Sequence, residues 1–372
     1  MKTLSFSDEQ TELRNSLRRM ISERWSAPAR RAWLAGGEPY DRKLWADMAG
    51  QLGVHGLSIP ESHGGLGYGF AEQAVVLEEI GRQVVATPYL STAVIAPTVL
   101  VAGESAAADR WLPELAAGAK IAALAHTEAD GDWWQDRPLT TWADADGDCT
   151  VTGTKHFVVD GAEADLLLVT ASGAEGEPAV LAVEAGSATV TATALPTLDL
   201  TRRLATVAFD RAPAAVLARG RQARELLARA RNVAEVGLAC EQVGGCAVAL
   251  ELTVDYVKVR EQFDAPIGSF QAVKFAAADM LLALESARSA AYYAADAIAR
   301  DAPDAAVSCA VAKAVCSESY SRVTGAMIQL HGGIGYTWEH DAHLYFKRAK
   351  ASEHLFGDPA GHRARLAGLL GL

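Results

Sequence analysis

The run REQFDAPIGSFQAVKFAAADM, residues Arg260–Met280, decides how the rest of the chain is read. An aromatic, Phe263, follows the arginine; Pro266 and Gly268 then mark a turn, and a run with helical spacing opens after it. Proline and glycine end one helix and let another begin, with Ser269 the expected N-cap. Such a break can aim Arg260 and Phe263 at something held between helices. The plainer reading is a helix–loop–helix corner.

A second run, QLHGGIGYTWEHDAHLYFKRAK at Gln329–Lys350, weighs against the plain corner. Gly332, Gly333 and Gly335 interrupt a helical pattern, and glycine there permits backbone conformations or close approaches that a β-carbon forbids. Together the two runs resemble the C-terminal signatures of the acyl-CoA dehydrogenase family, RxxFGxPIxxFQ and QxxGGxGY followed by RxxK or RAK. Here the first reads RxxFDxPIGSFQ, so Asp264 stands where the family usually has glycine.

Composition bounds the remainder. At roughly 150 residues per domain, the 372 residues suggest two or three domains with ample core. Half the residues are hydrophobic, many of them alanine, which favours packed helices. No apolar run reads as long enough to span a membrane, and MKTLSFSDEQ lacks a signal-peptide core, so cytoplasmic residence is expected. The formal net charge is −12, with no basic tract or aromatic–basic interleaving of the kind that binds nucleic acid. An anionic ligand would therefore rely on a few local arginines. Cys149, Cys240, Cys246, Cys309 and Cys316 lack metal-ligand spacing and read as reduced packing residues; neither HExxH nor CxxC occurs, and no metal site is expected.

Taken in order, residues 5–118 read as helices. SFSDEQTELRNSLRRMISERW opens with a capping pattern at Ser7 or Asp8, and LWADMAGQLG ends at a glycine. Gly64, Gly65 and Gly67 could suggest a phosphate loop, but no strand precedes them and no lysine follows; a tight turn is the favoured alternative. From Ile121 to about Asp210 short β-rich runs are bounded by Gly, Asp and Pro, as in an antiparallel sheet or barrel. From about Arg221 long helices resume, one pair split at Ala302–Pro303, and read as a four-helix bundle. The fold class is α+β: an N-terminal helical domain (1–120), a middle β-barrel-like domain (121–220) and a C-terminal helical bundle (221–372). The resemblance covers this whole order.

In the β region, AHTEADG (Ala125–Gly131) and VTGTKHFVVDGAEADLLLV (Val151–Val169) resemble the family's flavin-facing pair, TEPxxG and GxKxxITNxxxAD. Glu128 is kept, Ala129 replaces the proline, and Trp133–Trp134 follow where small residues are common. By this resemblance Thr127 and Phe157 face the isoalloxazine. Val159 takes the place of a threonine whose hydroxyl bonds flavin N5. The alternative for Thr127 and Glu128 is an ordinary exposed strand end.

Desaturating an acyl thioester removes an α-proton and a β-hydride. The hydride needs an acceptor such as flavin N5, the proton a carboxylate in a dry site, and the enolate oxygen hydrogen-bond donors. The resemblance implies FAD as cofactor. Arg260 would pair with the pyrophosphate of a neighbouring subunit's FAD, Phe263 and Gln271 would touch the same cofactor, and Gln329, His331, Gly332 and Gly333 would lie along its adenosine. The alternative for Arg260 is a salt-bridged surface arginine. It further implies an acyl-CoA or carrier-bound substrate, an electron-transfer flavoprotein as acceptor, and a homo- or heterotetramer.

The base is the departure. Phe356 stands at the position of the family's C-terminal glutamate, and Ala234 at the position used by a minority of members. Glu235 is rotated by about 100° from that face. Glu241 lies seven residues on, nearly on the same face and about 10 Å further along the axis, beside Gly244 and Gly245, which could let a substrate or a helix come close. Glu241 is the candidate base; a solvated helix carboxylate is the alternative. Three readings result: a dehydrogenase with a displaced base, a subunit of a heterotetramer whose partner supplies the base, or a flavin-dependent N-oxygenase on the same fold.

Overall fold

The computed structural model describes residues 7–103, 106–134, 137–145 and 148–372. Residues 5 and 6, where the first helical run is expected to open, lie outside the described residues. Among the described residues six α-helices precede the strands: α1 (Asp8–Arg24), α2 (Ala27–Gly36), α3 (Arg42–Leu52), α4 (Phe70–Arg82), α5 (Ala96–Gly103), entered through a π-helical turn at Leu90–Ile95, and α6 (Ala106–Ala116). Seven strands follow: β1 (Ala122–Ala125), β2 (Thr141–Ala145), β3 (Asp148–Val159), β4 (Leu166–Ser172), β5 (Pro178–Glu184), β6 (Val190–Ala194) and β7 (Leu204–Arg219). The chain ends in α7 (Gly220–Val259), a small hairpin of β8 (Glu261–Gln262) and β9 (Ala265–Pro266), then α8 (Gln271–Ala299), α9 (Ala305–His331), α10 (Ala342–His354) and α11 (Pro359–Leu369). This is the helix, strand, helix order of the sequence reading.

Compactness cuts across that order. Met1–Ala35, Phe70–Val85 and Glu235–Leu372 form one unit, and Gly36–Gly69 with Ala86–Ala234 form the other.

In the strand unit, β4, β2, β3, β7 and β5 pair in a closed ring; β1 adds to β4 and β6 to β7. Closure removes the free edges that an open sheet would expose. The expected antiparallel pattern is incomplete, because β1 and β2 both run parallel to β4. Along β4 every residue is buried. Leu167 and Val169 point into the barrel with Val151, Leu181, Val207 and Phe209. Leu166 and Leu168 face outward under α5, α6 and the first turns of α7. Both faces of β4 are covered, so LLLV is a continuous apolar run instead of an alternating one.

The same unit caps α3 with Asp41, whose carboxylate accepts from the Lys43 and Leu44 amides, and ends it at Gly53. In the glycine loop the Leu66, Gly67 and Tyr68 amides donate to the carbonyls of Gly56, Ile59 and Leu57. Those donors are committed to a turn and cannot cradle a phosphate.

In the helical unit, Ser7 and Gln10 form a capping box at α1, as the sequence pattern predicts. Arg14 bonds Glu78 at 2.7 Å and Arg18 holds Glu79 through two bonds of 2.6 and 2.8 Å, which ties α1 to α4 and pairs two carboxylates that α4 buries. The α4–α7 contact is very close. A β-carbon built at Gly81 would lie 2.0 Å from the Glu241 carbonyl oxygen, and one at Gly244 would lie 1.9 Å from that of Glu78. Gly244 is thus a helix-packing residue. The room that Gly244 and Gly245 suggest for a substrate is taken by protein: Gly244 meets α4, and Gly245 meets the Tyr320 ring of α9.

The reading that no apolar run is long enough to cross a membrane needs correction at α7. Its length and composition pass that test, but 94% of the apolar window is buried within the protein. Its apolarity is consumed in packing.

Candidate active site

The strand unit brings together the residues read as flavin-facing. Between Lys155 and Val158, β3 places one more residue than β7 opposite it: Lys155 pairs with Val207 and Val158 with Ala205. This is a β-bulge, which bends the strand and re-aims a side chain. Phe157 sits in it at φ +55°, a region costly for a residue with a β-carbon. Next to it the His156 amide donates to the Thr127 carbonyl at 2.8 Å, so the TEAD turn and the bulge are joined. Phe157 is half-buried, with the Trp133 ring centroid 6.4 Å away. Thr127 and Glu128 are buried, which corrects the alternative of an exposed strand end. Val159 is buried, pairs with Leu204, and carries no hydroxyl.

Beneath these residues lies a polar cluster that the sequence reading missed. The Lys155 ammonium donates to Glu128 Oε1 at 2.6 Å, the His126 carbonyl at 3.1 Å and Thr170 Oγ1 at 3.2 Å. Burial pushes the Lys155 ammonium down to about 8, opposed by Glu128. Burial, reinforced by Lys155 and Arg231, pushes His126 down to about 3, so that imidazole is neutral. The signal for the cluster was the lysine of GTK, an ionisable residue next to the apolar end FVV of its strand.

The helical unit joins the two C-terminal signatures. In the β8–β9 hairpin Gln262 faces Ala265, leaving a two-residue loop of Phe263 at φ +53° and Asp264 at φ +58°. Two positive φ values are what the tightest hairpin turn demands, and aspartate tolerates that region better than most residues. This explains how Asp264 replaces the family's glycine. The turn also displaces the expected N-cap. Ser269 closes a 3₁₀ turn by donating to the Pro266 carbonyl at 2.7 Å, and α8 begins at Gln271 behind Phe270.

Arg260, Phe263, Gln271, Gln329, Gly332 and Gly333 are all solvent-exposed. Among the described residues Arg260 has no carboxylate within ion-pair distance, which corrects the reading of it as a salt-bridged surface arginine. Gly332 adopts φ +61°, which requires glycine, and a β-carbon at Gly332 or Gly333 would meet only open space. His331 is buried and stacks on Tyr256 with centroids 4.4 Å apart. Tyr256 lies one turn before Arg260, whose amide donates to the Tyr256 carbonyl, so this stack links the two signature runs. His331 Nδ1 shares 2.8 Å with the Met327 carbonyl, which can only accept, so Nδ1 carries the proton and Nε2 a lone pair.

These residues fit FAD. An unpaired arginine suits a diphosphate, an open glycine edge admits close approach, and aromatic faces at Phe263 and Phe157 suit planar rings.

None of the three base positions offers a free carboxylate. Phe356 is buried at φ +60° and its carbonyl accepts from His362 Nε2 at 3.0 Å. Lys313, fully buried, donates to the Ser352, Glu353 and Gly357 carbonyls and pins this turn from below. Ala234 is fully buried. Glu235 is buried and faces Arg365 at 2.6 Å. Glu241 is buried against Arg348, 3.1 Å away, so it is not a solvated helix carboxylate. Its carboxylate is therefore held by a side chain of the protein itself, where a general base has to reach a substrate proton.

Comparison with known proteins agrees with this geometry. Residues 7–119 match the model of the acyl-CoA dehydrogenase N-terminal domain, and residues 221–369 that of the C-terminal domain. The chain is 36% identical to the acyl-CoA dehydrogenase IpdE2 of Mycolicibacterium smegmatis over 97% of its own length and 98% of the relative's. Among solved structures, the ChsE4–ChsE5 complex from Mycobacterium tuberculosis superposes with a TM-score of 0.90 at 28% identity, covering 99% of each chain. The Tcur3481–Tcur3483 steroid ACAD gives 0.88 at 29% identity, again over 99% of both. Matched at both helical ends and along its whole length, the chain belongs to the acyl-CoA dehydrogenase family.

Proposed function

We propose that this chain is one subunit of a heteromeric FAD-dependent acyl-CoA dehydrogenase that desaturates a bulky, steroid-like acyl thioester between Cα and Cβ, the partner subunit supplying the base. The observation that carries this is the state of the base positions: a buried phenyl at Phe356, a methyl at Ala234, and Glu241 committed to Arg348. The steroid ACAD and the two-component complex among its structural relatives support the substrate class and the heteromer.

When bound, FAD supplies the hydride acceptor. This chain's residues hold and shape the site. Arg260 meets the pyrophosphate; Phe263 and Gln271 touch the same cofactor; Gln329, His331, Gly332 and Gly333 line the adenosine. Thr127, Phe157 and Val159 face the ring, Val159 contributing shape without a hydrogen bond. Electrons then leave to an electron-transfer flavoprotein. The five unpaired cysteines, four of them buried, fit a reducing cytoplasmic setting.

A second reading keeps the chain self-sufficient with Glu241 as base, favoured by that carboxylate being buried in the dry surroundings a base needs. Anaerobic titration with steroid-CoA and shorter acyl-CoA esters separates the two. On the heteromer reading the flavin band bleaches only after a family member bearing the missing glutamate is co-expressed, and Glu241→Gln does not abolish bleaching in the complex. Bleaching by the chain alone that Glu241→Gln removes would establish the second reading instead.

A further inference from the structure

The buried Lys155 lies under the flavin-facing edge and belongs to none of the roles assigned above. Its ammonium makes bonds on both sides of Thr127: to the carbonyl of His126 at 3.1 Å and the carboxylate of Glu128 at 2.6 Å. The next residue of β3, His156, closes the third link through its amide to the Thr127 carbonyl at 2.8 Å. Residues 126, 127 and 128 are thus each bonded to residue 155 or 156. Phe157 follows directly in the bulge, at a backbone angle that needs support from its surroundings. Glu128 Oε1 accepts a second bond, from the Thr140 amide at 3.1 Å, which anchors the far end of the excursion carrying Trp133 and Trp134. A third Lys155 bond, to Thr170 Oγ1, secures the group to β4.

We propose that Lys155 is a positioning residue for the flavin ring: it clamps the Thr127 turn and the Phe157 bulge into one rigid edge against which the ring lies. This rests on the FAD reading above. The placement explains why a fully buried cation sits in β3. A neutral side chain offers at most two donors, whereas an ammonium offers three in diverging directions and satisfies the carboxylate of Glu128. Rigid support behind a first layer of contacts is what fixes a binding edge to within a fraction of an ångström. Lys155 touches no substrate and moves no proton.

The test needs variants that keep the interior neutral, since removing Lys155 alone would strand a buried carboxylate. Lys155→Met/Glu128→Gln removes the clamp without leaving a charge. Thr170→Val removes no charge, and takes away the Lys155 bond to Oγ1 together with the contacts of that hydroxyl to His126 Nδ1 and the His126 carbonyl. Each is followed by amide hydrogen exchange of segments 126–131 and 155–159, and by FAD titration of the chain with its partner subunit, read by flavin fluorescence and absorption band shape.

The double variant is expected to exchange faster in both segments and to bind FAD at least about tenfold more weakly, with a less structured absorption band, as misplaced binding edges do. Thr170→Val should loosen both segments by a smaller amount; because its hydroxyl also bonds His126 directly, segment 155–159 is where it reads the Lys155 link, and it decides the question there if the double variant fails to fold. Unchanged exchange in both segments, in Thr170→Val and in any folded double variant, overturns the clamp. So does wild-type FAD affinity and band shape in a folded double variant. A wild-type complex that takes up no FAD overturns the functional reading instead, while the exchange data still decide whether Lys155 holds the two segments together.

Discussion

Glu241 and Arg348 form a buried pair, and its halves are not equivalent to its whole. Removing one leaves the other charged and unpaired in the interior, which costs about 3–5 kcal/mol, whereas replacing both by apolar groups of similar volume is often neutral. Glu241→Ala should therefore lower stability strongly, and Glu241→Ala/Arg348→Met should recover most of the loss. Urea unfolding of the four proteins in the cycle measures this. A catalytic Glu241 without structural work would instead leave stability unchanged in the single variant. Sequence showed Glu241 on the right helical face but not its partner, which lies 107 residues away. A second residue-scale expectation concerns His55, buried against Trp45 with centroids 3.8 Å apart and pushed by burial down to about 3. The unfolded chain takes up a proton near 6.5 and the folded chain does not until about 3, so the unfolded state binds more protons in that window. His55 accordingly contributes stability above pH 6.5 that is lost as pH falls toward 3. Replacing it with Phe should flatten the acid limb of the stability curve by about 1.4 kcal/mol per pH unit at most. Parallel limbs for the two proteins between pH 6.5 and 4 would show that His55 is not held neutral.

Elements were legible wherever a local signal set them. The capping box at Ser7, the glycine end of α3 and the break at Pro303 all depend on neighbours within a few residues, and each lies where the pattern puts it. Strand β2 goes unnoticed in the sequence: TWADA is short and mixes polar with apolar residues, and its pairing with β3 leaves no mark in composition. The N-cap at Ser269 failed for a related reason. The hydroxyl bonds the Pro266 carbonyl instead, so the cap falls one residue later, at Phe270. Packing between elements was the least readable level, and Gly244 shows why. The glycine pair in ACEQVGGCA could admit a substrate or a helix, and only the carbonyl of Glu78 settles that it is a helix. Gly244→Ala places a methyl 1.9 Å from that backbone oxygen, so α4 and α7 must separate. Overpacking of this kind costs about 1–3 kcal/mol. The variant should melt several degrees lower with its helical content intact, and an unchanged melting temperature would mean that the crossing is looser than the structure shows.

For the molecule as a whole, the most informative surface is in the helical unit, around the end of α7, the β8–β9 hairpin and α8. Phe263 is 89% exposed, and Phe275 and Leu282 on α8 are 61% and 66% exposed. The last two are seven residues apart and so share one face of the helix. Large apolar side chains exposed on one helical face are expected to be covered by another protein. The exposed Arg260 and Gln271, read as cofactor contacts, border the same region in sequence, at the hairpin and the first residue of α8. Assembly and FAD retention should then fail together. Phe275→Asp with Leu282→Asp alters two exposed positions, where substitutions usually change folding stability by about 0.5 kcal/mol or less. Yet it should shift the mass of the complex down to single chains and release the flavin. Light scattering coupled to chromatography, with absorbance at the flavin band, reads both at once. If the doubly charged variant keeps the wild-type mass, this face is not the interface. If it dissociates yet keeps its flavin, the cofactor is held within one chain and Arg260 does not serve a neighbour's site.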